Sequence, residues 1–349
     1  MKHLQVFTKQ DVLARTKIRR FETKLGECVK VVTDTANLDI ALQQTTARYV
    51  LVGVQEDVGI KANGGTSNSL PVWPNFLSSF LNLQSNDFFS GEEVLVLGQF
   101  DFSDVTDLIE ASAATIDEKT DAYRHAVNLL DAEIEQIVQM ITQNRKLPIV
   151  IGGGGNNAYP CIKGAAKGWL KSSVIPFAQI NAIHLGAHTN YASMEGRHSG
   201  NALRYAEEDG YLEKFCLLGI HENYIQQNVW IDIVNNPFAD CITHEDIFLL
   251  EKRTFEQSVI TATDFTDDTL VGIELDLDVV ASSVPHLHAE AGIDVATARQ
   301  FLNYVVMDSQ PAYLHISEGT YQLAALSGKV VSYFVSDFIK AMQATYQSE

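Results

Sequence analysis

The feature that most constrains this chain is a repeated rhythm: a short β-rich apolar run, a glycine or polar turn, then an amphipathic stretch. The runs are ARYVLVGV (47–54), EEVLVLGQF (92–100), LPIVIGGGG (147–155), INAIHLGAH (180–188), KFCLLGIHE (214–222), LVGIELDLDVV (270–280) and AYLHISEG (312–319). Between them, residues 126–141 place Val127, Leu130, Ile134, Ile137, Val138 and Ile141 at helical spacing, and 330–344 repeat the pattern. Near-continuous apolar strands alternating with helices predict a mainly parallel sheet covered on both faces, a three-layer α/β/α fold. The segment from about 226 to 268 is the least regular and reads as an excursion from a single domain spanning 1–349.

Composition narrows the partners. Apolar residues make up 46% of the 349 and charged residues 20%, enough for a sizeable core and against wholesale disorder. Lys and Arg total 25 against 44 Asp and Glu, a formal charge of −19. Such a surface repels phosphate backbones and anionic lipid, which disfavours nucleic-acid and membrane binding. Cys28, Cys161, Cys216 and Cys241 show no CxxC spacing and read as reduced thiols. No secretory h-region and no run of 18 apolar residues is visible, so a cytoplasmic location is expected.

In parallel sheets, polar groups at the carboxyl ends of strands converge on the site. The run ending Gly152–Gly155 is followed by Asn156 and Asn157, which reads as a tight turn with an Asn free to cap the next helix. Another ends His184-Leu185-Gly186-Ala187-His188-Thr189-Asn190. His184 and Gly186 share a strand face, and His188 lies just past the end. Strand alternation puts Glu274, Asp276 and Asp278 on one face of a run that is otherwise apolar. Burying carboxylates there costs several kcal/mol each unless a cation or hydrogen-bond donors compensate. A divalent ion, Mn²⁺ or Zn²⁺, suits an Asp/Asp/His set. Glu318 closes the last run, positioned to orient a cationic substrate group.

Taken in order, these stations resemble the arginase (ureohydrolase) family, and within it the formimidoylglutamases of histidine degradation. GVQEDVGIKANGG (53–65) looks like the family's early GxxxDxGxxxNxG segment and LVLGQFDF (95–102) like its next strand. A GGGH-type turn, a DAHxD strand end, a DxD strand end and a late Glu follow in the family. Their counterparts here are Gly152–Gly155, Gly186–Asn190, Asp276–Asp278 and Glu318. The resemblance implies an α/β/α domain, often oligomeric. It also implies two Mn²⁺ ions that activate a water for hydrolysis of a guanidine or formimine C–N bond.

The family's six metal ligands map onto Gly155, Gly186, His188, Asn190, Asp276 and Asp278, so three are lost, at Gly155, Gly186 and Asn190. Two dications about 3.5 Å apart repel by roughly 19 kcal/mol at an effective dielectric of about 20, and half the carboxylates that would screen them are missing. The resemblance therefore implies at most one divalent ion, held by His188, Asp276 and Asp278, or none. His184, or His286 and His288 in the loop after the DxD strand, are candidates to rebuild a site. Glu195 to Asn201 resembles the family's substrate loop, with Arg197, Ser199 and Asn201 as substrate-binding candidates and Arg197 or Arg204 suited to a carboxylate on the ligand. The histidine that follows SGN in arginases is absent. Two functions stay open: a non-catalytic paralogue binding a small ligand, working as a homo-oligomer or with an active relative, and a single-metal hydrolase of a linear amidine such as formiminoglutamate.

Overall fold

The computed structural model describes residues 1–65, 72–280, 292–318 and 324–348. Among these, nine strands form one sheet: β1 (Leu4–Val6), β2 (Tyr49–Gln55), β3 (Val94–Asp101), β4 (Leu147–Ile151), β5 (Ile180–Leu185), β6 (Leu212–Ile220), β7 (Ala239–Thr243), β8 (Val271–Asp276) and β9 (Pro311–Ser317). Their order is β1-β3-β2-β4-β9-β8-β5-β6-β7. Every pairing is parallel except β1 with β3, so the sheet is mainly parallel, as the apolar runs predict. The seven runs account for β2–β6, β8 and β9. No described helix is long and apolar enough to cross a membrane, and all four cysteines are free thiols.

Strand alternation divides the core in two. Ile151, Ile183, Leu185, Ile273, Leu275, Leu314 and Ile316 face helices that include Val72–Phe80 and Val295–Asp308, packing on Trp73, Phe76 and Phe301. Val52, Val54, Val150, Ala182 and Tyr313 face the opposite layer, helices Ile116–Gln143 and Ala158–Lys171. Residues Val127, Leu130, Ile134, Ile137, Val138 and Ile141 of the long helix are fully buried there. Each such side chain contributes about 1.5–3 kcal/mol relative to exposure. That helix starts at a capping box in which Thr115 accepts from the Glu118 N–H and Glu118 accepts from the Thr115 N–H.

Three local expectations are corrected. Residues 226–268 are not irregular: they hold helix Gln227–Asn235, strand β7, a π-turn over Glu245–Leu249 and helix Phe255–Phe265. Strand β7 escapes a pattern search because, as an edge strand, three of its five residues are only half-buried. Asp278 does not continue the alternation of β8, which ends at Asp276; a 3₁₀ turn, Leu277–Val279, carries it. Asn157 holds the N-cap position of the following helix without a side-chain cap bond, because its Oδ1 accepts from Asn156 Nδ2 at 3.2 Å while both side-chain amides donate to Glu56 Oε1, at 3.2 and 2.8 Å.

Candidate functional site

The parallel register places polar residues in rows across adjacent strands. His184 of β5, Glu274 of β8 and His315 of β9 lie side by side, and one step nearer the carboxyl ends Asp276 is level with Ser317. All five are buried. In the lower row, Glu274 accepts from the Tyr313 hydroxyl and pairs with His315 Nδ1, each at 2.5 Å. Burial alone would depress the His315 pKa, but the Glu274 charge and hydrogen bond outweigh it and raise it. The same burial and neighbouring carboxylate raise the Tyr313 phenol well above its ordinary value.

The upper row opens into a cavity of about 410 Å³. His188, Asn190, Asp276, Asp278 and Glu318 line its floor; Ile60, Asn63, Ser199, Gly200, Tyr224 and Val229 contribute to its walls. Asp276 accepts from Ser317 Oγ and, at 3.4 Å, from Asn190 Nδ2. Asp278 pairs with His188 Nδ1 at 2.8 Å and accepts from the Ala187 N–H at 3.3 Å. Glu318 accepts from the Gly155 N–H at 2.7 Å. The His188 side chain is 56% exposed and its ring stacks on Tyr224 with centroids 4.8 Å apart. Asn190 and Glu318 both hold left-handed backbone, φ 49° and 57°, a strain that tends to gather at functional pockets.

Acid–base character follows the packing. Burial, then the adjacent Asp278 charge, pushes the Asp276 carboxyl up; burial, then Asp276, does the same to Glu318. Burial opposes ionisation of Asp278 too, but the His188 hydrogen bond and charge hold its pKa below the usual carboxylate range. That bond correspondingly raises the His188 pKa. Burial lowers the His184 pKa, and its Nε2–H donates to the His188 carbonyl at 2.9 Å.

The glycine stations have little free room. A Cβ on Gly186 would stand 2.5 Å from His184 Nε2 and 3.3 Å from Asp276 Oδ2. A Cβ on Gly155 would stand 2.6 Å from Asn190 Nδ2 and 2.8 Å from the Ser199 carbonyl oxygen. Among the described residues, no three His, Cys, Asp or Glu side chains converge as a metal-holding group. His286 and His288 lie outside the described residues.

The loop candidates separate. Ser199 lines the pocket, whereas Arg197 and Asn201 turn inward. Arg197 is only 3% exposed. It binds Asp131 through Nε at 2.9 Å and Nη2 at 3.3 Å, donates to Asn201 Oδ1 and the Asn156 carbonyl, and lies between Tyr159 and Tyr205. Asn201 in turn binds the His198 N–H and the Ser193 and Gly196 carbonyls, tying the loop down. Arg204 is held by Asp232. Neither Arg197 nor Arg204, the cations expected to meet a ligand carboxylate, is among the described residues lining the pocket.

Sequence reasoning missed Glu56, Ser317 and Tyr224. Glu56 anchors the glycine turn by accepting from the Gly154 N–H, Asn156, Asn157 and the Gly59 N–H. Its signal is its place at the end of β2. Ser317 is legible by counting along β9, two residues beyond His315 on the same face. Tyr224 has no such signal, because a 3₁₀ turn after β6 brings it to His188.

A parallel α/β sheet with an acidic pocket at the carboxyl ends of its central strands defines the class. The model of the arginase family matches residues 80–286, more than half of the chain, and the chain belongs to that family. No curated protein matches it significantly. Among solved structures it is similar to formimidoylglutamase from Bacillus subtilis, at 16% identity and a TM-score of 0.68 over 94% of each chain. It is also similar to Trypanosoma cruzi formiminoglutamase with Mn²⁺, at 17% identity and a TM-score of 0.66, covering 92% of this chain and 98% of that one. Proclavaminate amidino hydrolase from Streptomyces clavuligerus follows at 13% identity and a TM-score of 0.60, covering 93% and 98%. At these identities the likeness establishes the fold.

Proposed function

We propose that this arginase-family chain has lost the dinuclear metal station and acts as a non-catalytic or strongly altered relative of the formimidoylglutamases, keeping its pocket for a small molecule. The observation that carries this reading is the state of the glycine stations: Gly155 and Gly186 supply no ligand, and the room beside them is taken by Asn190 and His184. The residues present do not fit a pair of ions. Of the family's four ligand carboxylates two remain, and Ser317, Asn190, His188 and the Ala187 N–H already supply their hydrogen bonds. Protein hydrogen-bond donors, the His188 ring among them, thus offset the burial of these acids.

The decisive experiment is metal content per chain by mass spectrometry after incubation with Mn²⁺ or Zn²⁺ and desalting. The expected result is no retained metal and no hydrolysis of formiminoglutamate. Tight stoichiometric metal would overturn the reading.

A second reading has one observation in its favour: His188, Asp276 and Asp278 do line the same pocket. It makes the protein a single-metal hydrolase of a linear C–N bond, with Glu318 orienting the substrate. In that case Asp276→Ala abolishes metal retention; unchanged content in this variant would sink the shared-site idea. On either reading we expect a cytoplasmic homo-oligomer, which light scattering of the purified chain tests.

A further inference from the structure

The loss of ligands at Gly186 and Gly155 leaves a physical question: whether those positions are empty, and so ready to accept a ligand again, or filled. They differ. The obstruction at Gly155 includes the Ser199 carbonyl, a backbone atom that a side chain cannot push aside without moving the whole loop. At Gly186 the obstruction closer than 3 Å is the imidazole of His184, with Nε2 at 2.5 Å and Cε1 at 2.9 Å from where a Cβ would stand.

His184 is fully buried, and one of its two nitrogens is used. Nε2–H donates to the His188 carbonyl at 2.9 Å and lies 3.7 Å from Asp276 Oδ2. Among the described residues, Nδ1 is buried without a hydrogen-bond partner. The ring thus stands between the end of β5 and Asp276 of β8, beside the vacated ligand position.

We propose that His184 is a metal-excluding plug: its imidazole fills the space that a side chain at position 186 requires and ties down the His188 backbone without a cation. This rests on the reading that the dinuclear station is lost, and it adds the residue that keeps even a single-ion site from re-forming. A carboxylate at position 186 would complete a set of four with His188, Asp276 and Asp278, the number a closed site for a small dication needs. With the His184 ring where it stands, a Cβ at 186 would be 2.5 Å from Nε2, so seating that carboxylate requires the ring to move. Restoring position 155 gains nothing comparable, because the Ser199 backbone as well as the Asn190 side chain blocks it.

The test is a cycle of four proteins, wild type, His184→Ala, Gly186→Asp and the double variant, with His184→Ser as a second truncation should alanine fold poorly. Each is loaded with Mn²⁺ or Zn²⁺, desalted and counted by mass spectrometry, with affinity from calorimetry and folding checked by cooperative urea unfolding. The expected result is no retained ion in wild type or either single variant and about one per chain in the double variant, which binds at least roughly tenfold more tightly than Gly186→Asp alone. Adding Asp276→Asn to the double variant should remove the ion. If Gly186→Asp alone binds as tightly as the double variant, His184 is no obstacle and the proposal is overturned. A folded double variant that gains no ion overturns it as well. A wild type that holds an ion and loses it in His184→Ala makes His184 a ligand, the opposite of a plug. A wild type that holds an ion regardless of His184 brings down the functional reading itself, an outcome separate from failure of the cycle.

Discussion

Two buried charged regions sit within one fold and are solved differently. Beneath the loop 193–201, Asp131 meets a cation: Arg197 binds it through two nitrogens, and two tyrosine rings flank the guanidinium. At the ends of β5, β8 and β9, Asp276, Asp278 and Glu318 share one floor with no Lys or Arg among the described lining residues, and hydroxyl, amide and backbone donors with the His188 ring supply the compensation. The difference teaches where an ionised group is required and where a polar one suffices. In the loop, burial raises the Asp131 carboxyl only to about 6, because the Arg197 charge and hydrogen bonds oppose it. On the floor, where no guanidinium opposes it, burial pushes Asp276 and Glu318 further, to about 8, and only Asp278, paired with His188, is held low.

The sharpest way to break this contrast is to strip one partner from each region. Asp131→Ala leaves a buried, uncompensated guanidinium and should cost about 3–5 kcal/mol of stability, measured by urea unfolding. A loss under about 1 kcal/mol would mean that Asn201 and the Asn156 carbonyl suffice for Arg197. The second test is His198, buried in the same loop, with Nδ1 accepting from the Gly200 N–H. Burial, then Arg124 and Arg197, lowers its pKa from 6.5 to about 4. Because the folded value lies below the unfolded one, the associated stability is fully present above about pH 6.5 and is lost as pH falls toward 4. Unfolding free energies across that window should drop by about 3 kcal/mol in wild type, and less in His198→Asn. Identical slopes in the two proteins would remove His198 from the account.

The smallest effect belongs to the floor. Asp276→Asn replaces an acid that burial drives toward its neutral form, so stability at neutral pH should change by less than about 1 kcal/mol or rise slightly. A loss as large as that of Asp131→Ala would show that an ionised Asp276 holds the floor together and erase the distinction between the two regions.

Much of the fold was legible because its signals are local. Seven apolar runs became strands, and the apolar positions of 126–141 became the buried face of one helix. Strand β7 was not legible, since an edge strand with half-buried residues carries no apolar run. Within the candidate site, residue identities could be read from spacing, but directions could not. Arg197 looked like a cation at the pocket mouth and lies buried against Asp131, 66 residues away in the chain.

The sequence by itself determined the class of fold, the family resemblance and which stations of the resembling motifs carry Gly155, Gly186 and Asn190, because each depends on residue type at fixed spacing. Tertiary structure alone decided whether those stations stand open or filled. The ring of His184 beside Gly186, and Asn190 and the Ser199 carbonyl against Gly155, are positions in space set by strand register and loop packing. A vacancy in a motif is a fact about one residue; whether it leaves room is a fact about its neighbours, which distant segments supply.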